Sequence, residues 1–236
     1  MSRILVWDLP TRMFHWLLTL GLLACFGFTL LADEHSSMFS AHMILGIVLG
    51  LMVVLRVIWG FVGTRYACFD SFLFSPSTVV KYVKDAIAGS GQLYLGHNPG
   101  SSYAIFAMLA LVGLVVTTGL LVSSGNEAAK ELHEIASYAL LAVIVVHVVG
   151  VILYTMRHRE NITLSMITGI KEGSPAEAIR SSRPLVAWVF VAAVGFLAVG
   201  LFRNHDRSKG LTKLPILGTV IQLGEHEERG QGGKER

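Results

Sequence analysis

The sequence predicts an all-α integral membrane protein: a bundle of four transmembrane helices followed by a fifth apolar stretch. Three observations predict it. Of the 236 residues, 53% are hydrophobic and only 15% are charged, against about 25% charge in a soluble domain. Five apolar stretches approach the roughly 20 residues that cross a hydrocarbon core. The lysines and arginines fall in the connections between those stretches and in the tail, a pattern of membrane orientation and not of nucleic-acid binding.

The first stretch runs from Phe14 to Ala32, and Asp8-Leu9-Pro10 puts a capping residue and a helix-starting proline ahead of it. Arg3 and Arg12 resemble the basic region of a signal peptide, but Leu30-Leu31-Ala32 offers no A-x-A-like cleavage site, so the stretch is expected to stay as a span. The second stretch is Ala41 to Val62. The connection after it, Gly63 to Ser102, contains Ser75-Pro76 and then Thr78 to Lys84, which mixes apolar and basic positions at helical spacing. It reads as a short amphipathic helix on the inner membrane surface. Tyr103 to Val122 and Ile135 to Met156 are the third and fourth stretches. Leu185 to Phe202 is the fifth and shortest. Glu225 to Arg236 has no apolar residue to bury and is expected to be disordered. The resulting division is a four-helix domain over 1–171, a linker and fifth helix over 172–202, and a polar, partly disordered tail over 203–236.

Orientation follows from the basic residues. Arg3 and Arg12, then Arg65, Lys81 and Lys84, then Arg157, Arg159, Lys171, Arg180 and Arg183 alternate with connections that carry few or none. The positive-inside rule puts the N-terminus in the cytoplasm. A spanning fifth stretch then leaves the tail and its seven basic residues outside, against the rule. The two cysteines, Cys25 in a span and Cys68 in a connection, are not expected to meet. No C-x-x-C-H motif is present for covalent haem attachment.

Four of the nine histidines, His15, His42, His133 and His147, lie in or at the edge of the apolar stretches. Ionisable residues there are costly and are functional candidates. His133 and His147 are fourteen residues apart, about 21 Å along a helix and roughly four turns, so they share approximately one face. Topology brings His42 to the depth of His133, and His15 toward His147. Two imidazoles from different helices at each of two depths suit two non-covalent b-type haems, whose iron is tuned by axial ligands and burial. Gly46 and Gly50 follow His42 on one face, where a flat macrocycle or a neighbouring helix can approach. Helix contact is the simpler reading for any one glycine, with Gly21, Gly113, Gly119 and Gly150 in the same class.

Several short stretches together resemble the prokaryotic cytochrome b561 family, which includes b-type cytochrome subunits of nickel–iron hydrogenases. They are Val6 to Trp16 (VWDLPTRMFHW), His42 to Gly46, Arg56 to Phe61, Gly96-His97-Asn98-Pro99-Gly100, His133-Glu134 with His147, and Met166 to Gly169. The resemblance covers residues 3 to about 171. It implies a four-helix core with two b haems and His15, His42, His133 and His147 as axial ligands. It also implies electron exchange with a quinone, with a redox partner such as a c-type cytochrome or hydrogenase-like subunit, or with both.

Arg12 and Arg56, near the inner ends of their helices, are candidates for pairing with haem propionates, beside the plainer reading of membrane anchoring. His97 reads first as a turn residue bonded to local backbone and second as a neighbour of a propionate or quinone. His35, His158, His205 and His226 are expected to face solvent or headgroups. Trp7, Trp16, Trp59 and Trp188 are assigned to interfacial belts, and Met13, Met43 and Met166 to packing. An electron-transfer subunit is therefore favoured over a stand-alone oxidoreductase. The alternative is a superoxide:quinone oxidoreductase of similar architecture, to which the resemblance extends. A haem-free transporter or scaffold is the third reading, and no inverted repeat favours it.

Overall fold

The computed structural model describes residues 2–31, 37–206 and 210–223. The chain runs β1 (Ser2–Leu5), α1 (Leu9–Leu31), α2 (Ser37–Val62), a short 3₁₀ turn at Phe69–Phe72, α3 (Pro76–Ile87), α4 (Pro99–Ser123), α5 (Ala128–His158), α6 (Ile162–Thr168), β2 (Ile170–Gly173), α7 (Pro184–Arg203), β3 (Leu211–Lys213) and β4 (Val220–Gln222). Five of these helices, α1, α2, α4, α5 and α7, are long and apolar enough to cross a membrane. The fifth stretch is therefore a full-length helix of 20 residues.

Two of the long helices, α1 and α4, start ahead of their apolar runs because polar side chains cap them. The Asp8 carboxylate accepts the Thr11 amide at 2.9 Å and starts α1 at Leu9. The Asn98 side chain accepts the Ser101 amide at 2.8 Å, and Pro99 takes the first position of α4. Helix α5 ends where Arg159 turns left-handed, and α7 begins at Pro184 after a left-handed Arg183. At 31 residues, α5 is about 46 Å long and outruns a core of about 30 Å.

Helices α1, α2, α4 and α5 pack in chain order, with α4 on α5 the most extensive contact, and α7 lies against α1 and α2. The shared core includes Phe14, Cys25, Leu49, Met52, Val112, Leu140 and Phe190. Outward-facing side chains such as Leu23, Val146 and Trp188 are apolar, as lipid requires. Among the described residues, α5 has no comparable packing on α1 or α2. The two helices that carry the candidate partners of α5 thus stand apart from it.

Two small sheets were not foreseen. β1 pairs antiparallel with β2, Ser2 opposite Gly173 and Leu5 opposite Ile170, and ties the start of the chain to the end of α6. The pairing joins segments far apart in sequence, and four-residue strands leave no periodic signal. The expected boundary at 171 falls inside β2. β3 pairs with β4 in the segment after α7. Helix α3 lies where an amphipathic helix was expected, with Val80, Val83 and Ile87 exposed. Cys25 and Cys68 are free thiols. The expectations for His35, His226 and the segment 225–236 lie outside the described residues.

Candidate functional site

The N-terminal end of the bundle is organised around Asp8. Its buried carboxylate accepts the Trp59 indole N–H at 3.1 Å and the Thr64 hydroxyl at 2.6 Å, besides capping α1. One side chain thereby joins the start of α1 to the end of α2. Sequence reasoning took Asp8 for a helix cap alone, because its other partners are more than fifty residues away. Trp7 is buried and donates its indole N–H to Ser165 Oγ at 3.2 Å. Trp7 is therefore an internal strut and not a belt residue, a correction that follows from its burial, while Trp59 is half-buried and tied to Asp8. Trp16 donates to the Met166 carbonyl at 3.2 Å, while Trp188 is exposed as expected.

His15 lies six residues into α1, about 9 Å from its start, within electrostatic reach of His147 on α5. His147 lies eleven residues before the end of α5. Around the pair, several buried polar atoms have no hydrogen-bond partner: Thr11 Oγ1, Arg12 Nε, His15 Nδ1, Arg56 Nη1, His97 Nδ1 and Thr155 Oγ1. All six belong to this end of the bundle. Each such atom costs about 1–3 kcal/mol if left unpaired. Arg56 is only 4% exposed; one guanidinium nitrogen donates to the Ala67 carbonyl at 3.2 Å, and the group lies 5.1 Å over the Phe69 ring. Arg12 is half-buried and borders a shallow groove of about 330 Å³ with Leu9, Met13, Trp16 and Ile167.

His97 corrects its first reading. It is not a turn residue bonded to local backbone; Asn98 does that work. The His97 ring is wedged 4.7 Å from Trp7 and 4.3 Å from Phe72, and Nδ1 has no partner. Burial, reinforced by the positive Arg56 and Lys171, pulls its pKa down to about 3, so the imidazole is neutral here. Lys171, also buried, pairs with Glu160 at 3.0 Å and donates to the Tyr94 carbonyl at 2.8 Å. Neither the burial of His97 nor the role of Lys171 or Thr155 has a local sequence signal. His97 depends on the 3₁₀ turn that supplies Phe72, and Lys171 on the strand β2 that carries it.

At the distal end, His42 and His133 each lie five residues past the start of their helices, about 7.5 Å along the axis, and are within electrostatic reach of one another. His42 Nδ1 donates to the Cys25 carbonyl at 3.1 Å. His133 Nδ1 donates to the Val115 carbonyl at 3.0 Å and lies 3.2 Å from the Thr118 hydroxyl. A carbonyl can only accept, so Nδ1 carries the proton in both rings and Nε2 keeps its lone pair. That is the donor set of two metal-ligating imidazoles held by outer hydrogen bonds.

The glycines divide into two groups. A Cβ on Gly21 would lie 2.6 Å from Leu49, and one on Gly50 would lie 2.9 Å from Val116, so both serve close helix contact. A Cβ on Gly46, Gly113 or Gly150 would meet nothing within 4 Å. Gly46 is half-buried and one turn from His42, so it borders open space inside the bundle. The His158 ring lies tilted against Tyr154 at 4.4 Å, and His205 Nδ1 donates to the Leu211 carbonyl at 3.3 Å; both are half-buried.

Comparison with known proteins adds an independent line. The model of the family described as prokaryotic cytochrome b561 matches residues 6–169. A probable Ni/Fe-hydrogenase B-type cytochrome subunit of Bradyrhizobium diazoefficiens is 23% identical, over 71% of this chain and 85% of its own length. One of the same description from Rhizobium leguminosarum bv. viciae is 25% identical, over 71% and 88%. No solved structure matches.

Proposed function

The chain belongs to the prokaryotic cytochrome b561 family, a multi-pass membrane b-type cytochrome of electron transport, and from that premise we propose that it carries electrons between a quinone pool and a redox partner through two haems. One haem would be held by His42 and His133, the other by His15 and His147. Haem, when bound, supplies a one-electron redox centre. The chain's own residues supply the rest.

The observation that carries this reading is the distal pair, with Nδ1 of both rings committed to backbone carbonyls and Nε2 of both left free. The residues fit the group in two further ways. Helix α5 stands away from α1 and α2 where a macrocycle would lie, and Gly46 leaves space beside His42. At the other end, Arg12 and Arg56 bring unpaired guanidinium N–H groups to the neighbourhood of His15, suited to the propionates. The apolar spans keep water from both sites and hold the imidazoles at two depths.

Its named relatives are hydrogenase cytochrome subunits, which supports a hydrogenase-like partner, with a c-type cytochrome as the other class. The distribution of basic residues supports an inner-membrane location with the N-terminus in the cytoplasm. The functional unit is 1–171 carried to the end of β2 at Gly173, with the fifth helix and the segment 203–236 as additions to it.

Purified protein should contain two non-covalent protohaems per chain. His147→Leu should remove one and leave the His42–His133 site filled. A haem-free protein, or a variant that keeps both haems, would overturn the assignment. Reduced quinol should reduce the haems at a catalytic rate; superoxide doing so in its place would select the oxidoreductase alternative.

A further inference from the structure

The segment after α7 lies outside the matched family region, and its geometry is unusual for a tail in water. β3 and β4 form a hairpin that packs back along the bundle. Leu214, Ile221 and Leu223 join a cluster with Ile44, Val48, Leu197 and Leu201, all on spanning helices. Thr212 is fully buried and donates its hydroxyl to the Leu201 carbonyl at 2.8 Å. At the turn, Pro215 sits so close to Gly200 that a Cβ there would lie 2.7 Å from the proline ring. Gly200 is three residues inside the end of α7, about 4.5 Å below it. The turn therefore lies beside the spans and not beyond them.

The residues at the turn are the wrong ones for water. Ile216 is 91% exposed and Leu217 75% exposed. Ile216 also adopts φ +73°, in the left-handed region where a β-branched side chain is strained and where turns use Gly or Asn. A soluble turn gains nothing from that choice. Part of the turn backbone is satisfied without water: Pro215 has no N–H, Leu214 N donates to the Thr219 carbonyl at 2.9 Å, Leu217 N to the Pro215 carbonyl at 3.0 Å, and Gly218 N to the Leu214 carbonyl at 3.0 Å. Lys213, exposed two residues before the proline, can reach headgroup phosphates.

We propose that this hairpin is a membrane-inserted anchor, with Ile216 and Leu217 in the lipid of the leaflet opposite the N-terminus and Lys213 at its headgroups. The strain at Ile216 is offset by burying its side chain in acyl chains. Its inner face braces the start of α2, where Met43 and Ile44 flank His42. The anchor does not depend on the haem assignment.

Spin labels test it. In phospholipid nanodiscs, with Cys25 and Cys68 replaced by alanine, labels are placed at Ile216→Cys and, separately, at Lys213→Cys. The label at 216 should collide with dissolved oxygen in preference to a water-soluble nickel chelate, and the label at 213 should show the reverse. Preference for nickel at 216 would put the turn in water. Inaccessibility to both would put protein over it, such as a second copy. Either result overturns the proposal. Leu217→Cys repeats the measurement if the first variant folds poorly, as judged by helix content in the same nanodiscs.

Discussion

The two ends of the bundle treat their histidines differently. At the distal end His42 and His133 are each oriented by a backbone carbonyl before any cofactor is considered. At the N-terminal end His15 Nδ1 has no partner, and Arg12, Arg56 and His97 near it also hold unpaired donors or acceptors. One site is organised by the protein. The other is a set of buried polar atoms whose cost is unmet by the protein itself. The contrast teaches that the N-terminal site should depend far more on what it binds, above all on an anionic group.

The largest break in that comparison should come from Asp8→Ala. It strands the Trp59 indole and the Thr11 amide and uncouples α1 from α2 at one end only. We expect a loss of about 3 kcal/mol in thermal unfolding, from two or three bonds to a charged group. The haem proposed for the His15–His147 site should be lost first, as seen by comparing spectra with haem content. Equal loss at both ends would erase the distinction.

Arg56→Gln should act with opposite sign in the two states. With haem removed, the variant sheds a buried guanidinium whose Nη1 is unpaired, and its stability should hold or rise. With haem present, a charge-assisted bond worth about 2 kcal/mol is lost, roughly a thirtyfold drop in retention of one haem. Dialysis against apomyoglobin reads that ratio directly. A variant that binds haem normally would return Arg56 to anchoring.

Much of this contrast was legible in the sequence, and part was not. The spans follow from unbroken apolar runs, and the four histidines stand out because ionisable groups are rare there. His42 and His133 were matched in depth from topology, and both lie five residues into their helices. The closure of the N-terminal end was not legible. Trp7, Phe72 and His97 come from three separate segments far apart in sequence and meet only in the folded chain. The hairpin after α7 was equally hidden, since Leu214-Pro215-Ile216-Leu217 lacks the Asn-Gly or Gly-led turn that announces one.

The half-buried His97, wedged between Trp7 and Phe72, gives the comparison a pH dependence. Its folded pKa is about 3, below the ordinary 6.5. The unfolded chain therefore binds the extra proton between those values, so stability is full above pH 6.5 and falls as pH falls toward 3. At pH 5 the share of that loss due to His97 alone should be about 2 kcal/mol in haem-free protein, at 1.36 kcal/mol per unit. His97→Phe, which suits the Trp7 and Phe72 rings, should flatten the profile of thermal midpoint against pH. Haem-loaded protein should show a shallower profile than haem-free protein, because propionates near Arg56 favour the imidazolium. Identical profiles would separate His97 from the cofactor.

The smallest effect should be the most discriminating at the distal end. Gly46→Ala adds a methyl where nothing lies within 4 Å, and alanine is about 1 kcal/mol better than glycine inside a helix. In haem-free protein the thermal midpoint should therefore rise. If a porphyrin face occupies the space beside His42, the same methyl must push against it, and haem occupancy of that site should fall. Gly50→Ala is the control: its methyl would meet Val116 at 2.9 Å, so it should destabilise the protein with or without haem. A Gly46→Ala protein that is both more stable and fully loaded would mean that the gap between α2 and α5 holds something other than the macrocycle, and the distal imidazoles would then need another explanation for their two free Nε2 atoms.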